Sequence, residues 1–444
     1  MSFVSDFLPQ LLDYGSQLLA VWHDEFTEYF RWPEGTLNQF WVYLDLFPIM
    51  ASLLWSLSAL YGLLLGRKKP YDGELLQYTV VVPFFAESGG AIRTARSLES
   101  VQPPPIEIIL VDDGSPLPCR LPPDMQPQVR VLRLPQNLGK AAAVQMAADQ
   151  IKTPILVCLD ADVLVLSTDW SKMLSQFSTS PALGALTGAI RPGACHRLIQ
   201  FMQALDYLIV INFVKRAEVL WGALMTVSGA WVAYRVEAVN ECGGWKSDSS
   251  TEDIDLSWRL QGAGWHIGFA GEWRARVEMA PSWKSLWLQR NRWSAGLGRA
   301  LRDHFSKIWH TGSTLLPVGI MAVATTSWLW GCLIRILLVI IGWISVLVTH
   351  GFKPHWTNEP GLIIRNWLFL SIYLGVFALQ IVCAMISDGL RWRRYPILLL
   401  LVPLYPFYFW LLLFTGYFSG FVKGFLRRDS GRWRRTIRSV EIGS

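Results

Sequence analysis

The chain has 444 residues, 52% of them hydrophobic, 13% aromatic and only 17% charged, with a net charge of +6. So apolar a composition excludes an ordinary soluble enzyme of this length. The positive charge does not imply nucleic acid, because the lysines and arginines cluster beside apolar blocks, where positive-inside bias and anionic lipid headgroups account for them.

Residues 1–42 read as a helix lying on a surface: Asp6, Asp13, His23, Asp24 and Glu25 interrupt any apolar core of a signal peptide. Phe47 to Gly66 is free of charge over about the ~20 residues that cross a bilayer as a helix, which predicts a transmembrane segment within 43–70. Arg67, Lys68 and Lys69 follow at once and place the polar stretch 76–300 on the cytoplasmic side. Short β-branched runs at Thr79 to Pro83, Glu107 to Val111, Val129 to Leu134 and Pro154 to Leu159 alternate with turns and helix-like stretches. That alternation predicts an α/β domain with a parallel sheet, whose strand ends carry the ligand-binding residues.

Four constellations in this stretch bear chemistry. Val111, Asp112, Asp113, Gly114 and Ser115 close a strand with paired carboxylates and a glycine turn, suited to a base and ribose but also to a plain Asp-Gly-Ser turn. Asp160 and Asp162 flank Ala161 directly after a strand, where alternate carboxylates share a hard cation and a diphosphate; oxygen ligands point to magnesium or manganese and away from zinc. Thr251, Glu252 and Asp253 precede the helix-like Ile254 to Gln261; Thr251 fits a helix cap, and Asp253 fits a general base for an acceptor hydroxyl. Gln289, Arg290, Asn291, Arg292 and Trp293 combine guanidinium groups for phosphate oxygens with an indole for a sugar ring. The cysteines at 119, 158, 195, 242, 332 and 383 contain no CxxC pair, so neither a zinc site nor a disulfide framework is expected.

Beyond an interfacial segment at 301–326, the region 327–422 returns to the membrane. Trp328 to Val348 is interrupted by Arg335 alone, Trp367 to Ser387 is uncharged, and Pro396 to Val422 is uncharged but broken by Pro403 and Pro406. Arg391, Arg393 and Arg394 fit a cytoplasmic loop, whereas the basic tail 423–444 would fall outside if Pro396 to Val422 crossed fully. Either that segment is re-entrant or Leu315 to Val348 contains an extra turn into the membrane.

In order and spacing these motifs resemble processive glycosyltransferase family 2. The resemblance runs from Thr79 to about Arg299 through Val82 to Glu87, VDDGS at 111–115, NLGKAAA at 137–143, DAD at 160–162, TED at 251–253 and QRNRW at 289–293. It implies a GT-A-type nucleotide-sugar-binding domain inserted between transmembrane helices. It also implies that Phe85, Glu87 and Asp112 lie around uracil and ribose, that Lys140 approaches the diphosphate, and that Asp160 and Asp162 hold nucleotide and metal. Asp253 would be the base; Gln289, Arg292 and Trp293 would sit over the donor diphosphate and acceptor end; Gly229 and Glu252 would shape the acceptor site with Ala230 and Trp231. Ala86 departs from the family's usual asparagine, and Gln145 stands where another amide is common. No protein nucleophile is implied, so Ser228 and the cysteines receive no catalytic role.

TVSGAWVAYR at 226–235, STEDIDLSWRLQ at 250–261 and the stretch from Tyr405 to Arg428 resemble the bacterial branch that makes poly-β-1,6-N-acetylglucosamine. The implied activity is inverting, processive transfer from a UDP-sugar to a polysaccharide acceptor, with export across the bacterial inner membrane into a biofilm polymer. Hyaluronan, chitin and cellulose synthases and non-processive lipid-carrier transferases are the alternatives. The tail is too short for an appended cyclic-dinucleotide receptor, so such regulation would call for a small membrane subunit.

Overall fold

The computed structural model describes residues 50, 52–62, 74–247, 251–310, 314–325, 367–387 and 397–426. The predicted surface helix at 1–42, the span Trp328 to Val348, the Arg391 loop, Cys332 and the tail beyond 426 lie outside the described residues. The chain divides into two compact units: residues 1–54 with 324–380, and residues 55–323 with 381–444. In the first, Ser52 is helical, and its carbonyl accepts a 3.1 Å hydrogen bond from the Gln380 amide.

The described residues of the second unit form one sheet of eight strands, numbered in chain order and paired in the order β3-β2-β1-β4-β7-β6-β8-β5. Four of them occupy the predicted runs: β1 (Tyr78–Phe84), β2 (Glu107–Asp112), β3 (Val129–Arg133) and β4 (Ile155–Leu159). They are mutually parallel. Val80 and Val82 enter the core on one face and Val81 on the other, so β1 is buried throughout, as a central parallel strand must be. The parallel sheet expected from these runs is extended by the remaining strands β5 (Leu164–Val165), β6 (Leu183–Pro192), β7 (Trp231–Arg235) and β8 (His266–Val277). β7 runs antiparallel to both β4 and β6, and β5 antiparallel to β8, which makes the sheet mixed.

The helices interleave with these strands: α1 (Ser88–Arg96), α2 (Lys140–Ala148), α3 (Ser171–Thr179), α4 (Leu198–Leu220), α5 (Val236–Glu241), α6 (Glu252–Gly262) and α7 (Trp283–Ile308). Among the described residues only α4 is long and apolar enough to cross a membrane, yet 61% of its most apolar window is buried within the protein. It carries Asp206, Lys215 and Glu218, all buried, and packs against β6 and β8, so it is a core helix. The α7 helix runs unbroken past residue 300, where the sequence suggested a boundary.

After α8 (Leu316–Thr325), α9 (Trp367–Ser387) is a continuous apolar helix over the residues predicted to span. The next predicted span is discontinuous: α10 (Ile397–Leu401), a tight turn at Val402–Leu404, α11 (Tyr405–Leu412), wide π turns at Leu413–Tyr417, and α12 (Phe418–Phe425). The first break coincides with Pro403, which cannot donate in a helix interior. α12 lies against α7 at backbone distance, because a Cβ on Gly420 would meet the Asn291 carbonyl oxygen at 2.2 Å and one on Gly424 would meet that of Ala295 at 1.8 Å.

Candidate active site

Three loops at the ends of β1, β2 and β3 interlock through side chains. Asp112 Oδ1 accepts the Ser115 amide at 2.8 Å, and its Oδ2 pairs with Arg133 at 3.1 Å. Asp113 accepts the amides of Leu138 at 2.8 Å and Gly139 at 2.9 Å; burial raises its carboxyl, and those two amides act in the opposite sense. Ser115 Oγ accepts the Ala86 amide at 2.8 Å. The turn requires glycine at 114, where φ is 68° and a Cβ would lie 2.3 Å from the Gln136 carbonyl carbon. The result is a shelf of fully committed polar groups that also carries Phe85 and Glu87, both half-buried. Gln145 is a fold contact too: its Oε1 accepts the Trp245 amide at 2.7 Å.

Lys140 opens α2 directly from this shelf and is the point on which the motifs converge. Its Nζ is 2.6 Å from Asp160 Oδ1 and 3.1 Å from Glu252 Oε1, and it donates to the Gly229 carbonyl at 3.2 Å. Burial alone would lower its pKa, but the carboxylates of Asp160 and Glu252 hold it well above the usual lysine range. Asp160, Gly229 and Glu252, which lie far apart in the sequence, are thus gathered by one ammonium group.

Asp160 and Asp162 occupy the turn after β4. The turn is pinned by Thr94 of α1, whose hydroxyl lies 3.0 Å from the Ala161 carbonyl and 2.8 Å from that of Val163. No group of three or more His, Cys, Asp or Glu suited to caging an ion occurs among the described residues. Two alternate carboxylates nevertheless fit a magnesium-type ion, which takes one or two protein acids and completes its octahedron with substrate phosphates and water.

Asp253 lies in the first turn of α6, where the helix N-terminus favours its charge. Its Oδ2 accepts the Gly229 amide at 3.1 Å and its Oδ1 accepts the Ile254 amide at 2.9 Å. Burial and then neighbouring Glu252 raise its pKa, with Lys140 and Arg292 pulling the other way. A raised carboxylate is a stronger base, the property a proton acceptor needs. Thr251 does occupy the N-cap position, but the expected capping bond is absent. The start of the helix is instead met by α7, where a Cβ on Gly296 would fall 1.8 Å from Thr251 Oγ1.

The QRNRW segment divides its side chains among different partners. Arg290 is buried, pairs with Asp206 of α4 at 3.2 Å and lies 4.3 Å from the Trp293 ring centroid, so it is not the phosphate ligand the motif suggested. One face of the Trp293 indole is therefore already occupied by a guanidinium. Asp206 also accepts the hydroxyls of Tyr405 at 2.6 Å and Tyr408 at 2.9 Å. Asn291 donates to the Gly416 carbonyl at 2.9 Å and to Ser419 Oγ at 2.6 Å. Gln289 is buried, and Arg292 is half-buried within electrostatic reach of Asp253.

Trp231 is corrected from acceptor site to core. It is fully buried, its ring centroid 4.1 Å from that of Trp273 and 5.5 Å from that of Trp170, and its indole donates to the Trp273 carbonyl. The described cysteines are free thiols. A separate cavity of about 540 Å³ opens at the far end of α6, lined in part by Glu241, Trp258, Arg259, His304 and Lys307, and none of the expected site residues reaches it. Sequence reasoning did not anticipate Thr94, Arg133, Asp206 or Lys215, whose spacing matches no motif.

Residues 79–243 match the family model described as glycosyl transferase family 2. A poly-beta-1,6-N-acetyl-D-glucosamine synthase of Staphylococcus epidermidis is 25% identical over 411 residues, covering 88% of this chain and 95% of that protein. The synthase of the same name from Staphylococcus aureus strain MSSA476 is 29% identical over 283 residues, 60% of this chain and 68% of that one. A mannosyltransferase from Pyrobaculum calidifontis, solved in complex with GDP-Man and Mn2+, superposes with a TM-score of 0.52 at 16% identity, covering 87% of this chain and 100% of that one, which shows a shared fold. The chain is a glycosyltransferase with an α/β fold, and its residues 79–243 are those that match the family 2 model.

Proposed function

We propose that this glycosyltransferase is an inverting, processive synthase that transfers N-acetylglucosamine from UDP-N-acetylglucosamine to a growing poly-β-1,6-N-acetylglucosamine chain at the bacterial inner membrane and exports the polymer. The observation that carries the reading is the convergence of VDDGS, NLGK, DAD, TED and the 226–230 loop around Lys140 and Asp253. The names of the staphylococcal relatives, matched over most of the chain in the first case, support the polymer.

In this reading the acceptor hydroxyl gives its proton to Asp253 while its oxygen attacks the anomeric carbon from the face opposite UDP. The bond from that carbon to the diphosphate breaks, and inversion gives a β-linkage. Phe85 and Glu87 face the base and ribose, and Asp112 acts by holding their shelf rigid. Lys140 and Arg292 lie along the donor diphosphate, while Gln289 and Trp293 border the acceptor end with Gly229 and Glu252. Asp160 and Asp162 would hold Mg2+ or Mn2+, which when bound neutralises diphosphate charge.

Calorimetric titration of the purified protein with UDP tests the donor half. Binding that requires Mg2+ or Mn2+, is abolished by chelation and is weakened in Asp162→Asn supports it. Absence of UDP binding under every metal condition contradicts it.

A further inference from the structure

The loop Thr226–Ala230 lies between two cations, the half-buried Lys140 and the buried Lys215. On the site side its Gly229 carbonyl accepts from Lys140 and its Gly229 amide donates to Asp253. On the far side Lys215 of α4 donates from Nζ to the Thr226 carbonyl at 2.7 Å and to Ser228 Oγ at 2.9 Å. Glu218, one turn later, accepts the Met225 amide at 3.4 Å. The intervening groups are committed as well: the Val227 amide donates to Ser257 Oγ at 3.1 Å, and the Ser228 amide to Thr187 Oγ1 at 3.0 Å. Ser257 in turn donates to the Asp253 carbonyl at 2.6 Å, so loop and base share one network.

We infer that Lys215, supported by Glu218, is a positioning residue for the transfer, fixing the 226–230 loop so that the Gly229 amide stays aimed at Asp253. The inference rests on the reading of Asp253 as the base. Burying two charges is unfavourable unless geometry demands them, and neutral side chains would otherwise suffice to satisfy a loop carbonyl and a serine. Lys215 meets that demand by making two bonds at once while presenting positive charge toward Asp253. The ionisable groups acting on it are Glu218 on its own helix and Asp253 on α6. Burial lowers Lys215 below the usual lysine range, and Glu218 and Asp253 oppose that shift, so the cation is lost on the alkaline side as pH rises.

Steady-state kinetics of UDP release across a pH series, with wild type, Lys215→Met, Lys215→Arg and Glu218→Gln, test the inference. Lys215→Met should lower kcat about 10–100-fold with donor KM changed less than about threefold, the pattern of misplaced chemistry with intact donor binding. Its acid limb should move to higher pH, because Asp253 loses a cation that favours its charged form. Lys215→Arg, which keeps the charge, should restore most of kcat. Glu218→Gln should move the alkaline limb to lower pH, and it carries the test if Lys215→Met does not fold. Unchanged kcat in Lys215→Met, equal losses in kcat, donor affinity and melting temperature, or an unchanged alkaline limb in Glu218→Gln would each overturn the inference. Wild type without UDP release would instead sink the functional reading beneath it.

Discussion

The Gly229 amide donates to Asp253 Oδ2 at 3.1 Å, and a Cβ at position 229 would lie 2.7 Å from that same oxygen. The absence of a side chain at 229 is therefore a condition of the position of Asp253. Gly229→Ala should push Asp253 off its amide and lower kcat about 100-fold, the effect expected of a displacement near 1 Å. Donor affinity, measured by UDP titration, should stay close to wild type.

Asp253 should set the acid limb of the kcat profile. Its pKa is raised, first by burial and then by Glu252, so activity should appear as pH climbs through a value above the usual carboxylate range. The sign for stability is opposite. A raised carboxyl stabilises the fold below its unfolded pKa, and that contribution is lost as pH rises through the folded value. Asp253→Asn should accordingly raise Tm at neutral pH while abolishing turnover, a trade seen where activity requires a strained site.

Ala86 sits at φ 52° in the left-handed region, where a residue with a Cβ costs roughly 1–2 kcal/mol. Asparagine and glycine tolerate that conformation. Ala86→Gly or Ala86→Asn should raise Tm if the amide bond to Ser115 is kept, and thermal unfolding of the purified protein measures it.

Asp206 binds Arg290, Tyr405 and Tyr408 together, so α4, α7 and α11 share one buried acid. Removing the acid leaves Arg290 as an uncompensated buried charge, which costs about 3–5 kcal/mol. Asp206→Ala should lower Tm strongly and disturb Trp293 through its cation contact, and Asp206→Ala with Arg290→Met should recover part of the stability. A double-mutant cycle in Tm checks the coupling.

The helix contact at Gly424 offers a separate test of the C-terminal segment. Its Cβ would lie 1.8 Å from the Ala295 carbonyl oxygen, and no rotamer change removes a backbone clash. Gly424→Leu should therefore separate α12 from α7 and reduce activity at least about 10-fold, although the residue touches none of the motifs.

The first half of the sheet was legible because β1, β2 and β4 are buried on both faces and read as apolar β-branched runs. β8 was not, since Glu272, Arg274 and Arg276 interrupt its apolar pattern and its partner β6 lies about eighty residues earlier. Motif spacing singles out Asp160, Asp253 and Lys140 as candidates but not what holds them. Thr94 acts through hydrogen bonds 67 and 69 positions along the chain and Lys215 through two bonds to a loop beyond its own helix, neither of which leaves a local periodicity. Asp206 and Lys215 sit in an otherwise apolar helix, and only the partners on other elements give them meaning. Gly420 falls in the uncharged block and Gly424 in the basic tail, and neither context signals that both let one backbone approach another.

The measurement that tests the central claim most directly is incorporation of radiolabel from UDP-N-acetylglucosamine and from UDP-glucose by the protein in membranes, with Asp253→Asn beside wild type and linkage-specific digestion of the product. A high-mass product from UDP-N-acetylglucosamine alone is expected, absent in Asp253→Asn and cut by a β-1,6-N-acetylglucosaminidase. A single-sugar lipid, a polymer from glucose alone, or full incorporation by Asp253→Asn would contradict it.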